Sequence, residues 1–363
     1  MVLRILVLLA MLASSAGVLA VETEVSKAMP LVGESLLAKA GIKQVFQVSL
    51  AIKDTESVEQ FLSLGDNLYA LSSTNYLFCV DRKNGRVVFA GQLTEPGFPV
   101  FEPKVYNGKI FAASGSELIT IDIATAALSR TKSEFRSACS PARTSNYIYI
   151  AGVDKRLHAL QIEPQVRLFD AAADNDSLMT SIIANGQSVI MATLAGNVVS
   201  IKPDSPSKIW QRDLPGKITA AMVLDANSIY VSCEDTYLYK IKLTTGQIEW
   251  KAQLAGALTN SAAVGSTAVY QYVVGRGLTA IDKATGAILW QMADGVAMLA
   301  QTAEKSYVMS GGRNCVVMDN GTGKEIERIN FAQTQLQMSN GIDSKMYVAD
   351  KQGRVACYEP VKN

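Results

Sequence analysis

The chain has 363 residues, 34 Lys and Arg against 33 Asp and Glu, one His, and 48% hydrophobic residues. Charged residues make up 18%, below the ~25% of an ordinary globular protein. A balance this near neutral lacks the concentrated basic surface that nucleic-acid binding needs, so no nucleic-acid partner is expected.

Residues 1–20 carry one Arg near the front, an apolar run from Ile5 to Leu12 and small residues ending Gly17-Val18-Leu19-Ala20. That is the pattern of a secretory signal peptide cleaved after Ala20. The run is short of the ~20 residues of a spanning helix, and no Cys follows it to accept a lipid. The expectation is a periplasmic or otherwise exported protein, not lipid-anchored, with no transmembrane segment after signal removal. The mature chain would hold 33 basic and 33 acidic residues. In the segment 21–43, Pro30 to Ala40 followed by Gly41 predicts a short helix with a glycine stop.

From residue 44 onward the chain repeats. The clearest copy runs Ala280-Ile281-Asp282-Lys283-Ala284-Thr285-Gly286-Ala287-Ile288-Leu289-Trp290: a strand end, a tight turn and a strand closing on tryptophan. The position of Asp282 recurs as Asp81, Asp122, Gln161, Lys202, Lys242, Asp319 and Glu359, at spacings of 37–41 residues. Eight residues on lie Phe89, Arg130, Phe169, Trp210, Trp250, Trp290 and Glu327. Eleven or twelve residues before it lies a mostly aromatic column: Tyr69, Phe111, Tyr149, Ile190, Tyr230, Tyr270, Tyr307 and Tyr347. A fixed period near 40 residues is the mark of a repeat architecture.

Each repeat reads as four strands, in the sixth roughly 258–264, 267–274, 277–282 and 287–293. Turn residues such as Asn107-Gly108, Asn84-Gly85 and Thr322-Gly323 punctuate them. The ends are complementary: Gln44 to Leu50 matches Ile248 to Leu254 as an outer strand with no repeat before it, while the eighth repeat lacks that strand. The expected fold is all-β, an eight-bladed β-propeller over residues 44–363. The N-terminal strand would close the ring and remove the open sheet edges. One monomeric ring is expected. Cys79, Cys139, Cys233, Cys315 and Cys357 fall in strand interiors of five repeats and read as buried free thiols.

The pattern A-x-D-x-x-T-G-x-x-x-W, complete at Ala280, Asp282, Thr285, Gly286 and Trp290, resembles the tryptophan-docking repeat of PQQ-like (quinoprotein-like) propellers. The resemblance covers residues 44 to 360. It implies that Trp210, Trp250 and Trp290 dock against neighbouring blades. Of the family's branches, the dehydrogenases use pyrroloquinoline quinone and calcium, with an adjacent cysteine pair, a catalytic Asp and a stacking Trp. No two cysteines adjoin here, and all three tryptophans occupy docking positions. The length and blade number instead resemble the non-catalytic BamB-like branch, which serves outer-membrane protein assembly. That implies a non-enzymatic periplasmic scaffold with no catalytic residue, cofactor or metal and with an envelope protein as partner. The alternative is a quinoprotein-like or carbohydrate-active enzyme whose site no motif announces.

Three further groups bear on chemistry. His158 sits in a strand slot shared with Phe78 and Tyr239 and reads as a packed core residue. Asp170, Asp174, Asn175 and Asp176 depart from the Asp-x-Asp-x-Asp-Gly calcium pattern and read as a solvated turn. Glu59 and Glu102 point toward the channel beside Gln60, Ser140, Ser181 and Ser261. For partner binding, the aromatic and basic loop residues Phe98, Phe101, Phe135 and Arg136 are the candidates, since aromatics and Arg anchor interfaces.

Overall fold

The structure, a computed structural model, describes residues 29–361. The signal peptide expected at 1–20 lies outside the described residues. Eight separate four-stranded sheets follow one another along the chain. Blade 1 comprises Val58–Leu64, Asn67–Ser72, Tyr76–Asp81 and Val87–Gln92, paired in that order and antiparallel. Six further blades repeat the arrangement. The eighth joins Leu336–Gln337, Met346–Ala349 and Arg354–Pro360 to Ile42–Ser49, which runs antiparallel to Arg354–Pro360 with Phe46 opposite Cys357. The N-terminal strand therefore closes the ring.

The repeat motif now has its physical account. At the turn after the third strand of blade 6, the Asp282 carboxylate accepts the Thr285 N–H and the Thr285 hydroxyl, both at 2.7 Å, and the Ala284 N–H. Gly286 completes the turn at φ +77°, a conformation a Cβ would strain. The absence of a Cβ has a second use. One built on Gly286 would stand 2.8 Å from the Trp250 indole of the preceding blade. Gly246 meets Trp210, Gly323 meets Trp290 and Gly85 meets Phe46 in the same way. The Trp210 and Trp250 indole N–H groups donate to the Leu243 and Lys283 carbonyls. Each large ring thus fills the gap between two blades, and Phe46 does so across the closure. Ala280, fully buried, pairs with Trp290 across its own sheet. The aromatic column is buried throughout, from Tyr69 at 0% exposure to Phe111 at 3%.

A further clasp spans the closure. Arg82, in the outer turn of blade 1, donates Nε to the Tyr347 hydroxyl at 3.2 Å and Nη2 to Asn340 Oδ1 and Asp343 Oδ2 of blade 8. Those bonds hold the loop 338–345, which crosses toward blades 6 and 7. The Asn340 N–H reaches the Leu299 carbonyl, and Gly341 lies against the Val264 carbonyl, where a Cβ would clash.

Two elements are shorter than expected. The inner strand of blade 6 is only Ala263–Val264 rather than 258–264. An innermost strand has a hydrogen-bonding neighbour on one side alone, and Leu258 is buried from a loop instead. The helix is Glu34–Lys39, capped by Gly33 and followed by Gly41 at φ +64°, with Leu37 buried beside Phe331 and Tyr358. All five cysteines are free and buried. Burial pushes the Cys139 thiol up to about 11 and the Cys315 thiol up to about 12, which leaves them protonated and inert.

Candidate functional site

Links between blades and turns between second and third strands share one face, as their mutual hydrogen bonds record (Leu93 N–H to Asn75 O, Leu214 N–H to Gly196 O). On that face Asn75 sits at φ +63° and its amide donates to the Glu95 and Phe98 carbonyls at 2.9 and 2.7 Å. This brace presents the Phe98 ring to solvent at 58% exposure. Arg136 is also exposed. Phe101 and Phe135 are half-buried and pack on the cluster of Phe111, Ala113 and Ile150. The four residues predicted for partner binding thus divide into two presented to solvent and two tucked beneath the loops.

Phe135 stacks on the His158 imidazole, ring centroids 3.5 Å apart and nearly parallel. The Arg167 guanidinium lies 5.4 Å from the centre of the same Phe135 ring. His158 is 1% exposed, with Nδ1 2.8 Å from Asp170 Oδ1 and Nε2 3.0 Å from Asp154. Burial pushes its pKa down against the opposing effect of the hydrogen bond that the Asp154 carboxylate accepts, leaving it below the ordinary histidine value. Both ring nitrogens are occupied, so the residue joins a turn to a strand rather than facing a ligand. The neighbouring acids are likewise engaged one by one: Asp170 with Arg167, Asp174 with Lys208 and Asp176 with Lys155. Among the described residues no cluster of His, Cys, Asp and Glu has the makings of a metal site.

Inside the ring, the first strands of blades 2 to 5 wall a cavity of about 960 Å³. Glu102, Ser140, Ser181 and Ser261 line it, whereas Glu59 and Gln60 do not. Two of these serines are structural: the Ser181 hydroxyl accepts the Met222 N–H and the Ser261 hydroxyl donates to the Ala221 carbonyl, each bridging adjacent blades. The cavity also holds two cations, Lys104 and Arg143. Lys104 Nζ donates to the Ile182 carbonyl at 2.9 Å, and burial lowers its pKa from the usual lysine value. The Arg143 guanidinium lies 5.8 Å from the Tyr106 ring centre and 6.0 Å from that of Phe111.

These observations meet an independent comparison. The family model described as "Outer membrane protein assembly factor BamB" matches residues 43–252 and 195–363. The chain belongs to the BamB family. Among solved structures, BamB from Moraxella catarrhalis is 15% identical and superposes with a TM-score of 0.66, covering 88% of this chain and 97% of its own. The computationally designed Ika8 protein, at 13% identity, superposes with a TM-score of 0.64 over 87% of this chain and 99% of its own. Identities this low speak to the fold alone. No curated protein matches the chain.

Within this BamB-family propeller, Lys104 and Arg143 were not singled out from the sequence. The strand register shows what signal they carry. Lys104 faces Phe111 of the aromatic column, and its counterparts facing Tyr69, Tyr149, Ile190, Tyr230, Tyr270 and Tyr307 are Leu62, Ala142, Ile183, Val223, Ala263 and Ala300. Arg143 stands one residue further along, where other blades place Ser63, Val105, Ala184, Leu224, Val264 and Gln301. Each cation is the only charge in its column.

Proposed function

We propose that this protein is an exported, non-enzymatic propeller scaffold that holds protein partners during outer-membrane protein assembly in the periplasm. The observation that carries the reading is the family match over residues 43–363, whose description is that of an assembly factor. Geometry supports the binding half: Phe98 projects from a loop braced by the Asn75 amide, one inter-blade link before the exposed Arg136 loop on the same face. A rigidly held, solvent-facing aromatic gives up little entropy on burial in a partner. Among the described residues no helix is long and apolar enough to cross a membrane.

The test is capture from envelope extracts by the immobilised chain. Enrichment of outer-membrane β-barrel assembly proteins, lost in a Phe98→Ser/Arg136→Ser variant of unchanged melting temperature, is the expected result. Undiminished capture by that variant would move the interface off this face. Stoichiometric uptake of pyrroloquinoline quinone with calcium, followed by dye reduction on alcohols or sugars, would overturn the non-enzymatic half.

A further inference from the structure

The inner wall of blades 2 and 3 breaks the pattern of its own fold, and the break is electrostatic. Lys104 and Arg143 both line the 960 Å³ cavity. Neither takes part in the ion pairs of the described residues. The Arg143 Nε–H is sealed from solvent without an acceptor. A buried donor left unpaired costs free energy of the same order as a lost hydrogen bond, more when it carries charge. Other blades avoid that cost at this position with Val105, Ala184, Leu224 or Val264.

We propose that the channel cavity is a binding site for a small amphipathic anion, a medium-chain alkyl carboxylate, whose headgroup pairs with Arg143. The planar guanidinium fork matches a carboxylate bidentately, here through its two terminal Nη groups, since Nε is sealed from solvent. Lys104, with one N–H spent on the Ile182 carbonyl, supplies the second positive charge. Glu102 is the one acid in the lining and is exposed, so the site carries a single surplus positive charge, suited to a monoanion. The rest of the wall is aliphatic: Leu64, Val105, Ile182, Met222, Val223 and Leu224. That surface accepts an alkyl chain, and the volume falls within the ~300–1,000 Å³ typical of small-molecule sites. The site lies inside the ring, apart from exposed Phe98 and Arg136, so it stands or falls independently of the scaffold reading.

The experiment is calorimetric titration of the full chain with decanoate, decanol and decylammonium below their micellar range. One decanoate per chain is expected, with decanol at least tenfold weaker and decylammonium weaker still. Arg143→Leu installs the residue blade 5 carries at this position, so the variant should fold and melt no lower than the parent, while decanoate affinity falls at least tenfold and decanol affinity does not. Lys104→Ile, which installs the residue blade 4 carries at its own position, should weaken decanoate several-fold and serves if the first variant does not fold. Equal affinity for decanoate and decanol, no decanoate binding, or undiminished binding in a folded Arg143→Leu or Lys104→Ile protein would each overturn the proposal.

Discussion

If blade docking depends on a ring lying on a bare glycine, Trp250 and Gly286 should be energetically coupled. Trp250 is 9% exposed, packs 5.8 Å from the Tyr230 ring and donates its indole N–H to the Lys283 carbonyl at 3.2 Å. Truncation to Ala removes a large buried aromatic and one hydrogen bond, for a loss of about 3–5 kcal/mol. Gly286→Ala adds a Cβ 2.8 Å from the indole at φ +77°; the left-handed conformation alone costs ~1–2 kcal/mol, and the clash adds to it. In the double variant the clash vanishes because the indole is gone. Its cost should therefore fall short of the sum of the single costs by at least ~1 kcal/mol, well outside the ~0.3–0.5 kcal/mol scatter of independent sites. Urea unfolding followed by tyrosine fluorescence and far-ultraviolet circular dichroism measures all four corners. Additivity, or a loss under about 1 kcal/mol for Trp250→Ala, would refute the docking account.

Deleting residues 1–50 removes Ile42–Ser49, bares the Arg354–Pro360 edge of blade 8 and leaves Gly85 without Phe46; aggregation or a much lower melting temperature is expected, and an unchanged melt would contradict ring closure. Arg82→Met breaks the clasp to Tyr347, Asn340 and Asp343. Because Asp343 is 40% exposed, the loss should be about 2–3 kcal/mol rather than that of a fully buried pair, and an unchanged urea midpoint would deny the clasp any role. Hydrogen bonds from Thr125, Thr285 and Thr322 hold the Asp122, Asp282 and Asp319 carboxyls below their ordinary values. Their contribution to stability is therefore present above the ordinary carboxylate pKa near ~4 and is lost as pH falls through the folded values. A triple Asp→Asn variant should melt with a shallower dependence on pH between about 5 and 3, and an identical slope would show that these turns do not titrate with folding.

The architecture was legible in the chain because a propeller is built from local units. A turn aspartate, a glycine that must lack a Cβ and a ring that fills the gap it leaves sit at fixed separations, so Asp282, Gly286 and Trp290 announce themselves in every well-kept copy. Closure was legible for the same reason, from a lone outer strand around Phe46 and an eighth repeat lacking one. Channel and face properties behave differently. Whether Phe98 stands in solvent or Phe135 lies on a buried imidazole depends on loops braced by residues 23 or more positions away, Asn75 and His158 among them. The charge of Arg143 becomes meaningful only when the first strands of blades 2 to 5 are brought round a common axis, with Lys104 beside it and Glu102 as the one acid in the lining. Periodicity decides which strands form and where blades dock, since those interactions repeat with the chain. Burial and the pairing of single charges are set by the curvature of the closed ring, which only the tertiary structure supplies.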